Sequence, residues 1–78
     1  MENKTMQRNL YRVLRKTGVE KRDIALDASF NEDLQFDTVD WKIFTYYLEN
    51  IFNTNFKDDE LKGLKNINDT LVLLKHTA

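Results

Sequence analysis

Residues 28–40 mark the junction between a loop and a helix and read Ala28-Ser29-Phe30-Asn31-Glu32-Asp33-Leu34-Gln35-Phe36-Asp37-Thr38-Val39-Asp40. Asp37 is a favoured N-cap residue, and Asp40 stands three positions later, where an acid stabilises a helix N-terminus. We therefore predict a second helix that begins at Asp37 and ends near Phe52. Thr38 then places a hydroxyl group just inside the cap, exposed where the loop meets the helix.

This second helix is apolar on two faces. One broad face carries the side chains that we assign to the core, namely Trp41, Phe44, Tyr47, Leu48, Ile51 and Phe52. We expect this helix to contribute the largest share of the core, with Phe44 deeply buried. The other side carries an apolar stripe at i, i+4, i+7, which consists of Val39, Ile43 and Tyr46. A helix with two apolar faces needs two partners, so either the long loop covers this stripe or a partner protein docks there, with Lys42 and Glu49 beside it.

The chain on the N-terminal side of Asp37 predicts one helix and one long loop. Apolar residues at helical spacing predict a first helix over about residues 3–17, with an inward stripe of Met6, Leu10, Val13 and Leu14. Gly18 follows as the residue that ends this helix in a left-handed conformation. Between Val19 and Phe36 the apolar residues fit no sustained period, so we predict a long loop that is pinned to the core.

The C-terminal part of the chain predicts two further helices. Asp58 is expected to cap a short third helix, which Gly63 interrupts, and Asn66 to cap a last helix with Asp69 at its third position. The sequence contains no proline, which favours helices throughout. We therefore predict one all-α domain that spans residues 1–78.

Composition argues against catalysis, metal binding and membrane insertion. The 78 residues include no cysteine and one histidine, His76, and no nucleophile–base pair or metal-ligand spacing is present. We therefore expect no catalytic residue, no metal site and no enzyme. No apolar run approaches the ~18 residues of a membrane span, and the N-terminus is polar. We expect a cytoplasmic monomer that does not bind membranes.

Charge is unevenly distributed along the chain. Residues 1–22 carry a net charge of +5, residues 23–60 carry −8 and residues 61–78 carry +2, although the whole chain carries only −1. The basic N-terminal segment and the acidic middle segment are either solvated surfaces, or one of them steers a charged partner. Nucleic-acid binding by the basic first helix is a weak alternative, because the overall charge is not basic and only Tyr11 is available there to stack on a base. We therefore expect no nucleic acid among the partners.

The quoted stretch resembles the prosthetic-group region of acyl carrier proteins, whose pattern is an acidic-Leu-Gly-x-Asp-Ser-Leu-acidic run. The resemblance continues from Gly18 to the C-terminus and includes Phe52-Asn53-Thr54 and Phe56 ahead of Asp58-Asp59-Glu60. It implies an all-α four-helix bundle with a long loop between helices one and two and a short third helix. It also implies partners, which are acyl-transferring or biosynthetic enzymes, for example of fatty acid biosynthesis, that dock on helix two.

The resemblance places Thr38 at the attachment position of the family, with Asp37 and Val39 on either side. In acyl carrier proteins a serine at this position is joined to phosphopantetheine by a phosphodiester, and the thiol of that arm carries acyl groups as thioesters. A helix N-terminus suits the phosphodiester anion, because it presents unpaired N–H groups and the positive end of the helix dipole.

The sequence departs from this pattern at four places around the attachment position. Thr38 replaces the serine, Gln35 replaces a glycine, Val39 replaces a leucine, and the acidic face of helix two is thinned by Lys42, Ile43 and Asn50. Threonine offers a β-branched secondary alcohol with restricted χ1, and misplacing a nucleophile by ~1 Å costs on the order of 100-fold in rate. We therefore predict an interaction module with an unmodified Thr38; the alternative is an acyl or peptidyl carrier modified on Thr38 in fatty acid or secondary-metabolite biosynthesis.

Aromatic residues of the loop and the second helix also predict that little space remains among the helices for an acyl chain. The residues that supply this bulk are Phe36, Trp41, Phe44, Tyr47, Phe52 and Phe56.

Overall fold

Four α-helices and one short 3₁₀ turn follow one another in the computed structural model, which describes residues 3–77. The helices are α1 (Asn3–Thr17), α2 (Thr38–Phe52), α3 (Asp58–Lys62) and α4 (Ile67–Thr77), and the 3₁₀ turn covers Lys21–Asp23. Over the described range there is no β-strand. The structure therefore confirms the all-α fold with a long first loop and a short third helix. None of the helices described is long and apolar enough to cross a membrane.

The first helix ends as its sequence predicts. Gly18 has a φ of 112°, and the amides that follow the helix fold back onto its last turn. Gly18 N donates to the Arg15 carbonyl at 3.1 Å, and Val19 N donates to the Leu14 carbonyl at 3.0 Å. This pair of hydrogen bonds is the Schellman motif, in which glycine adopts the left-handed conformation without a Cβ clash.

Side chains of α1, α2 and α4 form most of the core. Phe44 has no exposed surface, which confirms the prediction that it is deeply buried, and Leu48 is equally buried. The expectation that α2 supplies the largest share of the core is wrong, because α1 buries four side chains where α2 buries two. The large side chains at the edges of the α2 core face are only half-buried, and they are Trp41, Tyr47, Ile51 and Phe52.

The long loop between α1 and α2 is tied to the start of α4. Phe30 is buried, and its amide donates to the Lys65 carbonyl at 3.0 Å. Ile67 N donates to the Ala28 carbonyl at 3.1 Å, and Asn68 N donates to the Leu26 carbonyl at 2.8 Å. The loop is therefore pinned to the core as predicted, although Leu26 itself leaves its side chain exposed.

The two C-terminal helices differ in how well their starts were predicted. The N-cap of α3 is Lys57 and not Asp58, and the helix ends at Lys62. The Glu60 carboxylate reaches back to the Lys57 amide at 3.1 Å, which sets the start one residue earlier than expected. The cap of α4 is as predicted, since Asp69 N donates to Asn66 Oδ1 at 2.9 Å and Asn66 N donates to Asp69 Oδ2 at 3.3 Å.

Candidate functional site

The N-terminus of α2 is fixed by a reciprocal pair of hydrogen bonds. Asp40 N donates to Asp37 Oδ1 at 2.8 Å, and Asp37 N donates to Asp40 Oδ2 at 3.1 Å, which together form a capping box. Thr38 is the first residue of the helix and is exposed. The structure therefore places the Thr38 hydroxyl just inside the cap and at the surface, as the sequence predicts.

The turn that leads into this helix passes through Gln35, whose φ is 53°. On either side of it, Leu34 N donates to the Ser29 carbonyl at 2.9 Å and Phe36 N donates to the Phe30 carbonyl at 2.8 Å. These bonds hold the turn in the left-handed region, which glycine adopts freely and a residue with a long side chain adopts at a cost. Gln35 therefore occupies a backbone conformation that suits the glycine of the family pattern.

An open groove of about 610 Å³ lies beside Thr38, between α2 and α3. Trp41, Leu61 and Leu64 supply its apolar lining. Its polar lining consists of Asn31, Thr38, Lys42, Thr45, Tyr46, Glu49 and Lys62. Three of the five residues predicted to bind a partner, Lys42, Tyr46 and Glu49, therefore share one groove with the Thr38 hydroxyl.

One side of this groove comes from elements other than α2 and was not predicted from the sequence. Leu61, Lys62 and Leu64 belong to α3 and the turn after it, and Asn31 belongs to the long loop. The periodicity of α2 defines which of its own residues face outward, but it carries no information on which neighbouring element lies against them. The short helix α3 is too brief to carry a periodic signal of its own.

The interior behind Thr38 is filled by four aromatic rings. Phe30 lies at the centre, with its ring centroid 5.2 Å from Phe36, 4.8 Å from Trp41 and 5.5 Å from Phe44. The other three rings pack against one another edge-to-face, at 5.2–5.8 Å. These are the separations of close aromatic packing. The bulk predicted from Phe36, Trp41 and Phe44 thus lies beneath the groove.

The second apolar stripe of α2 lies at the surface, and the long loop does not cover it. The exposed fraction is 60% for Val39, 37% for Ile43 and 63% for Tyr46. The Tyr46 ring packs against Tyr47 at 5.4 Å between centroids and also lines the groove beside Thr38. Tyr46 therefore stands where the stripe and the groove meet.

The two polar residues predicted to flank this stripe differ in their surroundings. Lys42 is exposed. Glu49 is half-buried, and its Oε2 accepts a hydrogen bond from the Phe56 amide at 2.8 Å. Glu49 therefore holds the segment between α2 and α3 against α2, and this contact helps to position the far wall of the groove.

Comparison with known proteins finds acyl carrier proteins that are similar to this chain, although no family model matches it. An acyl carrier protein of Kocuria rhizophila is 32% identical over 56 residues, which cover 72% of this chain and 69% of the relative. One from Exiguobacterium sibiricum is 32% identical over 59 residues, 76% of this chain and 75% of the relative. One from Coprothermobacter proteolyticus is 25% identical over 76 residues, 96% of this chain and 93% of the relative.

Proposed function

The chain belongs to the acyl carrier protein family, and on that premise we propose that it is a docking domain that presents α2 to acyl-transferring or biosynthetic enzymes without phosphopantetheine on Thr38. Members of this family are carrier proteins and not enzymes, and this chain is likewise not an enzyme. The observation that carries the proposal is the exposed stripe of Val39, Ile43 and Tyr46 beside an attachment position that lacks the family's serine.

The chemistry of Thr38 supports the unmodified state. Attachment of phosphopantetheine requires the hydroxyl oxygen to lose its proton and attack the pantetheine-side phosphorus of coenzyme A within a transferase, which breaks the diphosphate bond and releases adenosine 3′,5′-bisphosphate. Threonine brings a methyl group on the same carbon as that oxygen, and its χ1 is restricted on a helix. Because proximity and alignment account for much of the rate of such a step, a crowded oxygen is a poor substitute for the serine hydroxyl.

Space around Thr38 is not the obstacle. The side chain is exposed, and the groove of about 610 Å³ opens directly beside it. An arm attached here would lie against Trp41 and Leu61, with Lys42 and Lys62 close by. The crowded nucleophile and poor recognition by the transferase therefore disfavour attachment, whereas steric exclusion of the arm does not.

The surface of α2 supports the docking role. Two of the three stripe residues expose more than half of their side chains, and Tyr46 adds a large aromatic ring. Protein interfaces concentrate their binding energy in a few central residues, among which tyrosine is enriched. Lys42 and Asn50 stand on this helix where the family is acidic, so the enzymes that bind this chain are expected to differ in charge from those that bind its acidic relatives.

The alternative function is that of an acyl or peptidyl carrier modified on Thr38. The exposed hydroxyl and the adjoining groove favour it. It requires a transferase that accepts a secondary alcohol and recognises Lys42 and Ile43 on α2. It differs from the proposed function in one measurable property, the covalent state of Thr38.

An in vitro modification assay separates the two functions. The wild type and the Thr38→Ser and Thr38→Ala variants are incubated with coenzyme A and a broad-specificity phosphopantetheinyl transferase, and intact masses are followed with time. We expect the wild type to stay unmodified, Thr38→Ser to accept the arm slowly, and Thr38→Ala to give the background. Rapid modification of the wild type would establish the alternative function. Failure of the serine variant would assign the block to the surface of α2 and to Gln35.

Docking is tested with stripe variants and one matched control. Binding to acyl-transferring enzymes of the same organism is measured for Tyr46→Ala, Ile43→Asp and Val39→Asp, and Val72→Asp serves as the control because it lies on α4 and is also exposed. We expect Tyr46→Ala to raise the Kd by about tenfold or more, as for a central interface residue. The control is expected to bind like the wild type. If all three stripe variants bind normally to an enzyme that binds the wild type, the stripe is not the docking site.

A further inference from the structure

A second groove, of about 780 Å³, runs along the exposed side of α1. Six cationic side chains line it, which are Lys4, Arg8, Arg12, Arg15, Lys16 and Lys21. Within the part of the chain that the structure describes, no carboxylate lines this groove. The nearby ion pair between Arg22 and Glu20, at 2.7 Å, involves none of these six cations. Lys16 Nζ lies 5.5 Å from the centroid of the Tyr47 ring, and the charge of the other cations is available to an external anion.

The cations of this groove are regularly spaced along the helix. Lys4, Arg8, Arg12 and Arg15 succeed one another at intervals of about one turn, so that their Cα atoms are separated by roughly 5–6 Å along the axis. Carboxylates at i, i+4 positions of a second helix have the same spacing. Tyr11 and Ile24 also line the groove and add apolar surface between the charges, beside the amide of Gln7.

We propose that this basic groove on α1 is a docking site for an acidic amphipathic helix of a partner protein. The cations pair with carboxylates spaced one turn apart, and Tyr11 and Ile24 contact apolar side chains on the inner face of that helix. The groove on α1 is a different surface from the stripe on α2, so the chain would hold one partner on α1 and another on α2. This inference does not depend on whether Thr38 is modified.

The structure favours an acidic helix over a nucleic acid. Single-stranded nucleic acids bind through aromatic rings on which bases stack, whereas Tyr11 is the one aromatic residue that lines the groove, and its hydroxyl accepts a hydrogen bond from Gln7 Nε2 at 2.8 Å. A long polyanion would also extend beyond a molecule of 28 × 25 × 19 Å and approach the segment of residues 23–60, which carries −8. A helix as short as α1 avoids this repulsion.

Two other occupants of the groove fit less well. A membrane surface would attract the same cations, but it would gain little from insertion, because the large exposed apolar residues described lie outside α1, at Leu26, Val39, Ile43, Tyr46 and Val72. A second copy of the chain would have to offer a row of acids. Six of its carboxylates already accept hydrogen bonds from backbone amides, and they are those of Asp33, Asp37, Asp40, Glu49, Glu60 and Asp69.

Binding is tested directly with a fluorescent peptide as the probe. The peptide is a short helix of alanine, leucine and glutamate, with glutamates at i, i+4 spacing on one face and leucines beside them. Its control is an isomer of the same composition with glutamates distributed around the helix. We expect the patterned peptide to bind at least about tenfold more tightly than the isomer, and to shift the amide NMR signals of Gln7, Tyr11 and Ile24. Equal binding of the two peptides, or shifts confined to other helices, would overturn the proposal.

Charge-reversal variants locate the site. Arg8→Glu with Arg12→Glu alters the groove, whereas Lys65→Glu with Lys75→Glu alters exposed lysines elsewhere, and each pair lowers the net charge by four units, from −1 to −5. We expect the first pair to weaken peptide binding by about tenfold or more and the second to have a much smaller effect. Circular dichroism checks that both pairs fold. If both pairs of substitutions weaken peptide binding equally, the interaction depends only on net charge, and the groove on α1 is not the binding site.

Three further measurements test whether a nucleic acid, a membrane or a second copy of the chain occupies the groove instead. A single-stranded oligonucleotide and phosphatidylserine vesicles are titrated against the same protein, and sedimentation reports self-association in the absence of peptide. The proposal predicts that neither probe binds more tightly than the patterned peptide and that the protein sediments as a monomer. Tighter binding of the oligonucleotide or of the vesicles, or self-association that Arg8→Glu with Arg12→Glu abolishes, would assign the groove to that occupant instead.

Discussion

Replacing Gln35 by glycine is expected to stabilise the domain, although glycine substitutions usually destabilise proteins. Gln35 has a φ of 53° and an exposed side chain, so the change relieves a left-handed conformation and removes little packing. A left-handed backbone costs a residue with a Cβ atom roughly 1–2 kcal/mol. The greater freedom of glycine in the unfolded chain offsets about 0.4–1 kcal/mol of this gain.

The net gain for Gln35→Gly is therefore about 0.5–1 kcal/mol in the free energy of unfolding. For a domain of this size each kcal/mol moves Tm by roughly 4–8 °C, so the melting temperature should rise by about 2–8 °C. Thermal and urea unfolding, followed by circular dichroism, measure both quantities. The gain should appear without a change in the slope of the urea transition, because the surface exposed on unfolding is the same.

Two variants separate the backbone effect from loss of the glutamine side chain. Gln35→Ala removes the side chain but keeps the Cβ atom, so it should be close to neutral. Asn53 also adopts the left-handed conformation, with a φ of 52°, but asparagine tolerates that region, so Asn53→Gly should change stability much less than Gln35→Gly. The reasoning is refuted if Gln35→Gly is no more stable than the wild type, or if Gln35→Ala stabilises as much as Gln35→Gly.

Substitutions at three other residues test the packing and the cap. Phe44→Ala should destabilise by about 3–5 kcal/mol in urea unfolding, because its ring is fully buried among Phe30, Phe36 and Trp41; near-unchanged stability would contradict the assigned core. Thr70→Val should stabilise by about 1 kcal/mol, since the buried Thr70 Oγ1 has no hydrogen-bond partner among the described residues, and destabilisation would show that the hydroxyl is satisfied. Asp37→Ala should cost about 1 kcal/mol by removing the bond to Asp40 N, measurable by thermal unfolding, whereas Asp37→Asn should retain most of it.

The fold was predictable from the sequence because its signals are local. Gly18, Asp37 and Asn66 are helix-end residues, and their capping patterns need only neighbours within a few positions. The start of α3 was misplaced by one residue, at Asp58 instead of Lys57, since several nearby acids make similar caps. The share of the core that α2 supplies was overestimated, because Trp41, Tyr47 and Phe52 lie on its core face but are only half-buried there, unlike Phe44.

The candidate site was predictable only on α2. The exposure of Val39, Ile43 and Tyr46 followed from periodicity, but the wall supplied by α3 depends on tertiary packing that no local pattern encodes. Gln35 was recognised as a departure from the family pattern, whereas its left-handed backbone became evident only in the structure. The hydrogen bond from Phe56 N to Glu49 likewise spans two elements, so the structural role of this carboxylate was not visible in the sequence.

The covalent state of Thr38 in the cell is the most direct test of the proposed function. The chain is isolated from its native source, and its intact mass is measured by electrospray mass spectrometry, with fragmentation to locate any added group. An unmodified docking domain predicts an unmodified mass for the peptide that contains Thr38, with no phosphopantetheine attached. A single phosphopantetheine on that residue would contradict the account and identify the chain as a working carrier.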